Sequence, residues 1–160
     1  MLEFGRAWVK FITDRGVTHE LVRHRLASYA QESTRFVRYD GGMEFIRPVW
    51  CSDKILGYHD KLDPLSIPSD EEYIFIDSCL EAEGNYLKLL SKKWQPQHAR
   101  AVLPNSLKTE IVVDANFTEW KHIFKLRTSP KAHPQIVELM KPVQEEFARR
   151  VPEIFGVPIK

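Results

Sequence analysis

The stretch Leu107-Lys108-Thr109-Glu110-Ile111-Val112-Val113-Asp114-Ala115-Asn116-Phe117-Thr118-Glu119-Trp120 changes its period half-way along. Leu107, Thr109, Ile111 and Val113 alternate with Lys108, Glu110 and Asp114, which is the two-residue repeat of a strand with one polar face. Asn116 followed three residues later by Glu119 is the signature of a capping box, and it opens a helix that runs through Phe124 to about Arg127. A strand feeding into a helix gives the domain both kinds of element, and the series read outward from it is that of an α+β domain.

The same reading extends outward. Ala7 to Thr13 mixes aromatic and β-branched residues and reads as a strand that turns at Asp14-Arg15-Gly16. A helix capped by Thr18 is expected next, carrying Leu21, Val22, Leu26 and Tyr29 at helical spacing. Gly41-Gly42, Pro48, Gly57, Pro64 and Pro68 then punctuate a loop region with one short strand around Met43 to Arg47. Ser69 and Glu72 form another capping box, and Tyr73, Ile76, Leu80, Leu87 and Leu90 continue as a helical stripe towards Trp94. A short helix spans Gln97 to Val102 before Pro104. Ile136, Met140, Val143 and Phe147 mark a last helix, kinked at Pro142. With no repeat and no linker, residues 1–160 read as a single domain.

Composition narrows the functional classes. An apolar fraction of 43% supplies a core, and 23 basic against 22 acidic residues leave no overall field for nucleic acid. No apolar run approaches the roughly 20 residues of a membrane span, and the first residues lack a secretory pattern, so the expected location is the cytoplasm. Cys51 and Cys79 are too few for a disulfide framework and have no metal-ligand spacing around them.

The charge that does stand out is local. Arg15, Arg23, Arg25, Arg35 and Arg38 occur without a lysine, against only Glu20 and Glu32. Guanidinium forks suit phosphates and planar anions, whereas a merely solvated face is as readily built from lysine. A nucleotide site and a solvated basic helix both remain open on the count alone. If Arg23 and Arg25 were helical, their side chains would diverge, since successive residues turn by about 100°. Such a pair would serve an extended ligand, or two ligands approached from different sides.

Arg23-His24-Arg25-Leu26-Ala27-Ser28-Tyr29-Ala30-Gln31-Glu32-Ser33-Thr34-Arg35 matches RHRxxSxxxxSxR, six fixed positions in 13 residues, and so resembles the signature of flavin-dependent thymidylate synthase. Ala99-Arg100-Ala101-Val102-Leu103-Pro104, Asn116 with Glu119-Trp120, Leu126-Arg127 and His133-Pro134-Gln135 extend the resemblance over nearly the whole chain. It implies a mixed or antiparallel sheet packed with helices. It also implies reductive methylation of dUMP to dTMP, with methylenetetrahydrofolate as carbon donor, NADPH as reductant and FAD as bound cofactor. The expected assembly is a homotetramer with sites at subunit interfaces, without nucleic acid, membrane or metal.

Carried over residue by residue, the resemblance assigns Arg23, His24, Arg25, Gln31, Asn116 and His122 to the flavin. It assigns Glu20, Arg23, Gln31, Ser33, Arg35, Arg100 and Arg127 to dUMP, with Glu20–Arg23 and Gln31–Arg35 as two walls of the pocket. Arg127 has the catalytic role, because a fixed cation beside the uracil imide favours its ionised form. Asn116 has an equally good structural reading as a helix cap, and Arg100 as the partner of an acidic neighbour. His19, His98 and His133 are structural, and Ser33, with no His and Asp to activate it, binds rather than attacks.

The sequence departs from the family pattern in three places. Several dozen residues that usually precede the segment resembling Leu2-Glu3 are not in this sequence. Phe4 stands where a His is common, and Thr118 stands where an Arg usually follows Asn116 by two positions. These departures define the alternative reading, a truncated or divergent homologue that binds nucleotide without turnover.

Overall fold

The computed structural model describes residues 2–51 and 69–156. Its elements are β1 (Arg6–Asp14), α1 (Arg15–Leu21), β2 (Ser28–Gln31), α2 (Asp70–Ser91), α3 (Pro96–Ala99) with a 3-10 turn at Arg100–Val102, β3 (Lys108–Asn116), α4 (Phe117–Arg127), α5 (Pro134–Arg150) and α6 (Pro152–Phe155). The strands form one antiparallel sheet in the order β1-β3-β2. Beside β1, the Asn105 carbonyl accepts the Arg15 N–H and the Gly5 carbonyl accepts the Phe117 N–H, so main-chain bonds join the segments that flank β1 and β3. The alternation along β3 is realised fully: Thr109, Ile111, Val113 and Ala115 are buried, and the residues between them are half-buried. The α+β expectation holds. Among the described residues no helix is long and apolar enough to cross a membrane.

Contacts divide the chain into two units interleaved in sequence, one comprising residues 1–11, 17–30 and 111–160, the other residues 12–16 and 31–110. In the first, Phe11, Ile111 and Val113 belong to the same core as Trp120, Phe124, Ile136, Met140 and Phe147. Trp120 stacks on Phe124 at 5.4 Å between ring centroids and lies 5.0 Å from Phe147. Its indole N–H donates to the Ala7 carbonyl at 2.9 Å, so the largest buried side chain leaves no polar atom unpaired. Gly5 is required by close approach, since a Cβ there would stand 2.5 Å from the Phe117 ring.

The second unit has a smaller core of Tyr86, Leu90 and Ala99, with Tyr39, Met43, Leu89 and Leu103 against it. Its helix α2 starts at Ser69 with both halves of the capping box in place. It ends with Lys93 at φ 66°, the Lys93 N–H donating to Leu90 and the Trp94 N–H to Leu89, a Schellman closure with lysine in the position glycine usually takes.

Several expectations need correction. No turn separates β1 from α1: the strand passes directly into helix at Arg15, and Thr18, read as a cap, is buried inside it. That helix stops at Leu21. The Tyr29 hydroxyl lies 2.8 Å from the Leu21 carbonyl and 2.6 Å from that of His24, so its single proton is shared between them, and the chain beyond pairs as β2. Sheet pairing therefore overrides the helical spacing of Val22, Leu26 and Tyr29. On α2 the inward residues are Cys79, Tyr86 and Leu90, whereas Tyr73, Leu80 and Leu87 of the expected stripe are exposed. The second capping box is only half formed, because Asn116 accepts the Glu119 N–H at 2.8 Å while the Glu119 carboxylate turns elsewhere. Around Met43–Arg47 there is a single bridge, Phe45 to Leu107, rather than a strand. Pro142 lies inside α5, as expected, and the short helix α6 after it is an addition to the sequence reading. Gly57, Pro64 and Pro68 lie outside the described residues.

Candidate active site

In the first unit, Arg127 closes α4 and lies among groups brought in by α1 and the turn after it. Its Nε donates to Nε2 of His24 at 2.9 Å, Nη2 donates to the Glu20 carbonyl at 2.8 Å, and Nη1 donates to the Glu20 carboxylate. A guanidinium has five N–H donors, so three are held by protein and two are left over. The fork is largely covered but not sealed, its side chain being 17% exposed.

His24 is buried, with Nδ1 3.4 Å from the Glu119 carboxylate, and its ring meets the exposed ring of His122 edge-on at 5.7 Å. Its pKa falls to about 4, first because burial penalises the imidazolium and then because Arg127 and His122 repel the added charge. At neutral pH the ring is therefore uncharged. The Tyr29 phenol is pushed up to about 12, mainly by burial and further by the Glu119 carboxylate, with Arg127 acting in the opposite direction.

Arg23 and Arg25 are exposed in the turn after α1, with no side-chain partner among the described residues. With no helix through them, the 100° separation does not apply, and the two-sided ligand geometry inferred from it falls. Asn116 caps α4 through its amide oxygen, which leaves the amide N–H donors to point elsewhere.

In the second unit, Ser33 accepts the Arg35 N–H through its hydroxyl at 3.3 Å, and the exposed Arg35 guanidinium stands over the Phe36 ring at 5.3 Å. Arg100 donates to the hydroxyl of buried Thr34 at 3.1 Å, not to the acidic neighbour that was its structural alternative. Gln31 reaches the Thr109 hydroxyl at 3.4 Å. The two expected pocket walls, Glu20–Arg23 and Gln31–Arg35, thus belong to different units.

A protein-family model described as thymidylate synthase complementing protein matches residues 1–153. The chain belongs to this family. The flavin-dependent thymidylate synthase of Corynebacterium efficiens is 35% identical over 150 residues, covering 89% of this chain and 57% of the relative. That of Sulfurisphaera tokodaii is 34% identical over 141 residues, covering 88% and 49%, and that of Corynebacterium glutamicum is 36% identical over 146 residues, covering 89% and 57%. The chain spans about half the length of the curated relatives it matches.

For a member of the thymidylate synthase complementing protein family, the motif arginines were expected, and their surroundings were not. Glu119 and Thr34 escaped the sequence reading as site neighbours. Glu119 passed as a capping residue, and Thr34 is one of the unspecified positions of the signature. Only the buried carboxylate beside a buried histidine reveals the first of them.

Proposed function

We propose that this chain carries nucleotide-binding and catalytic residues of a cytoplasmic flavin-dependent thymidylate synthase, acting over residues 1–160 as one functional domain to convert dUMP to dTMP. The observation that carries the reading is Arg127: its charge is kept, its orientation is set by Glu20 and His24, and two N–H donors stay available. Those donors suit the imide edge of a uracil, where a fixed cation favours the ionised ring that must attack carbon. Ser33, Arg35 and Arg100 supply hydroxyl and guanidinium groups for the phosphate and sugar, with Gln31 and Arg23 shared between nucleotide and cofactor.

The donor set fits FAD. Arg23 and Arg25 are exposed forks, without a side-chain partner among the described residues, that suit a diphosphate, and the Asn116 amide and exposed His122 add donors on the start and outer surface of α4. When bound, the flavin supplies the redox chemistry, NADPH the reducing equivalents and methylenetetrahydrofolate the carbon. Two buried, free cysteines suit a reducing compartment. Trp8 and Ile12 on the open face of β1, and Tyr73, Leu80 and Leu87 seven apart on α2, offer apolar surface to further copies of the chain, in keeping with a homotetramer.

The test is purification and turnover. A yellow protein that forms dTMP only when dUMP, methylenetetrahydrofolate and NADPH are all present supports the reading; a colourless protein that binds dUMP without turnover supports the alternative. Arg127→Lys should still bind dUMP while turnover falls on the order of a hundredfold, because a point charge replaces a planar fork. Unchanged turnover removes Arg127 from the activation role.

A further inference from the structure

The geometry points to Glu119 and His24 as a positioning pair that sets the plane of the Arg127 guanidinium, with His24 acting through Arg127 rather than as a cation towards a ligand. The inference deepens the proposed function and rests on it only where it concerns nucleotide binding.

An arginine Nε–H can only donate, so the 2.9 Å contact requires a lone pair on Nε2 of His24. The neutral ring must then carry its proton on Nδ1, the nitrogen that faces the Glu119 carboxylate at 3.4 Å. Both residues are buried, at 4% and 5% exposure, so bulk water has little access to replace either partner. Glu119 lies in the first turn of α4, where the helix dipole favours an anion, and Arg127 ends the same helix about 12 Å further along. The imidazole therefore links the acidic start of the helix to its basic end. Glu20 holds both terminal nitrogens, so each keeps one further N–H in a plane that the protein has already set.

Ligand atoms of His24, Glu119 and His122 lie within 4.8 Å of one another, which also outlines a cation site. The proton count opposes it. Nε2 is taken by Arg127 and Nδ1 is protonated, so neither nitrogen of His24 is open to a metal while the guanidinium stands against the ring.

The test is nitrogen-15 NMR on the 160-residue chain, reading the His24 tautomer and the exchange of the Arg127 Nε–H. The native chain should show the Nδ1–H tautomer and a slowly exchanging Nε–H. Glu119→Ala should move the ring to the Nε2–H tautomer, speed that exchange and weaken dUMP binding by about tenfold, the scale of losing the group behind a liganding residue. Glu119→Gln, whose amide oxygen still accepts, should restore all three. Should Glu119→Ala not fold, His24→Gln keeps an acceptor for Arg127 and His24→Leu removes it, so slow exchange is expected only in the first. An Nε2–H tautomer in the native chain overturns the pair, as does a tautomer indifferent to Glu119→Ala, equal exchange in the two His24 variants, or zinc binding that shifts His24 and His122 together. If instead Arg127→Ala leaves dUMP binding intact while the tautomer follows Glu119, the nucleotide reading falls and the positioning pair stands.

Discussion

The two units of the chain treat buried polar groups differently. In the unit built on α4 and α5, the Trp120 indole, the Tyr29 hydroxyl and the His24 ring each face a protein partner. In the unit built on α2, the phenol oxygens of Tyr39 and Tyr86 are buried without a hydrogen bond among the described residues. The first arrangement determines where each side chain sits, and so suits groups that must be aimed. The second leaves those two hydroxyls to bear a desolvation cost without a return, although its buried Thr34 and Thr109 meet Arg100 and Gln31. Burial has pushed the Tyr39 phenol up to about 12, with the Glu32 carboxylate adding to the shift and Arg15 offsetting part of it, so ionisation does not relieve the mismatch at neutral pH.

The contrast breaks first at Trp120. Trp120→Ala removes the centre of the aromatic cluster and strands the Ala7 carbonyl, so a loss of about 3–5 kcal/mol is expected in urea unfolding. A loss near that of a surface substitution would mean the cluster is not the anchor of its unit.

The next test is pH. His24 has a native pKa of about 4 against an ordinary 6.5, so the unfolded chain takes up a proton in a range where the native chain does not. Stability should therefore be highest above pH 6.5, fall by about 3 kcal/mol as pH drops to 4, and flatten below that as far as this group is concerned. The fall expected from Glu146, whose carboxyl is held down to about 2 by hydrogen bonds from Arg149 and Arg150, begins lower, below its ordinary 4.5. His24→Gln should flatten the upper range and leave the lower one. If both ranges survive in His24→Gln, the histidine is not the titrating group.

The smallest effect sharpens the comparison from the other side. Tyr86→Phe deletes a buried hydroxyl that has no partner among the described residues, and thermal unfolding should show unchanged stability or a gain of about 1 kcal/mol. A loss of similar size would reveal a hydrogen bond to that hydroxyl and make the two units alike.

The contrast also explains what was legible in the sequence. Strand β3, the capping box at Ser69 and the start of α4 rest on local periodicity and side-chain to backbone bonds, which the residues spell out directly. The fate of Arg23-His24-Arg25 depends on Tyr29 reaching back to the carbonyls of Leu21 and His24 and on β2 pairing with β3, neither of which helical spacing encodes. On α2 the expected stripe holds at Leu90 and in part at Ile76, whereas Tyr73, Leu80 and Leu87 are apolar yet outward and Cys79 and Tyr86 turn inward. The signature named the site residues by resemblance, but the turn of Glu119 away from its cap and towards His24 depended on packing.

Strand β3 is last in sequence and central in the sheet. Hence, among the described strands, β1 and β2 gain their shared neighbour only when β3 is in place, and the Arg6–Asp114 ion pair closes across 108 positions. The sheet therefore closes only once residues up to 116 are available, through pairings distant in sequence, the kind that is slow to form.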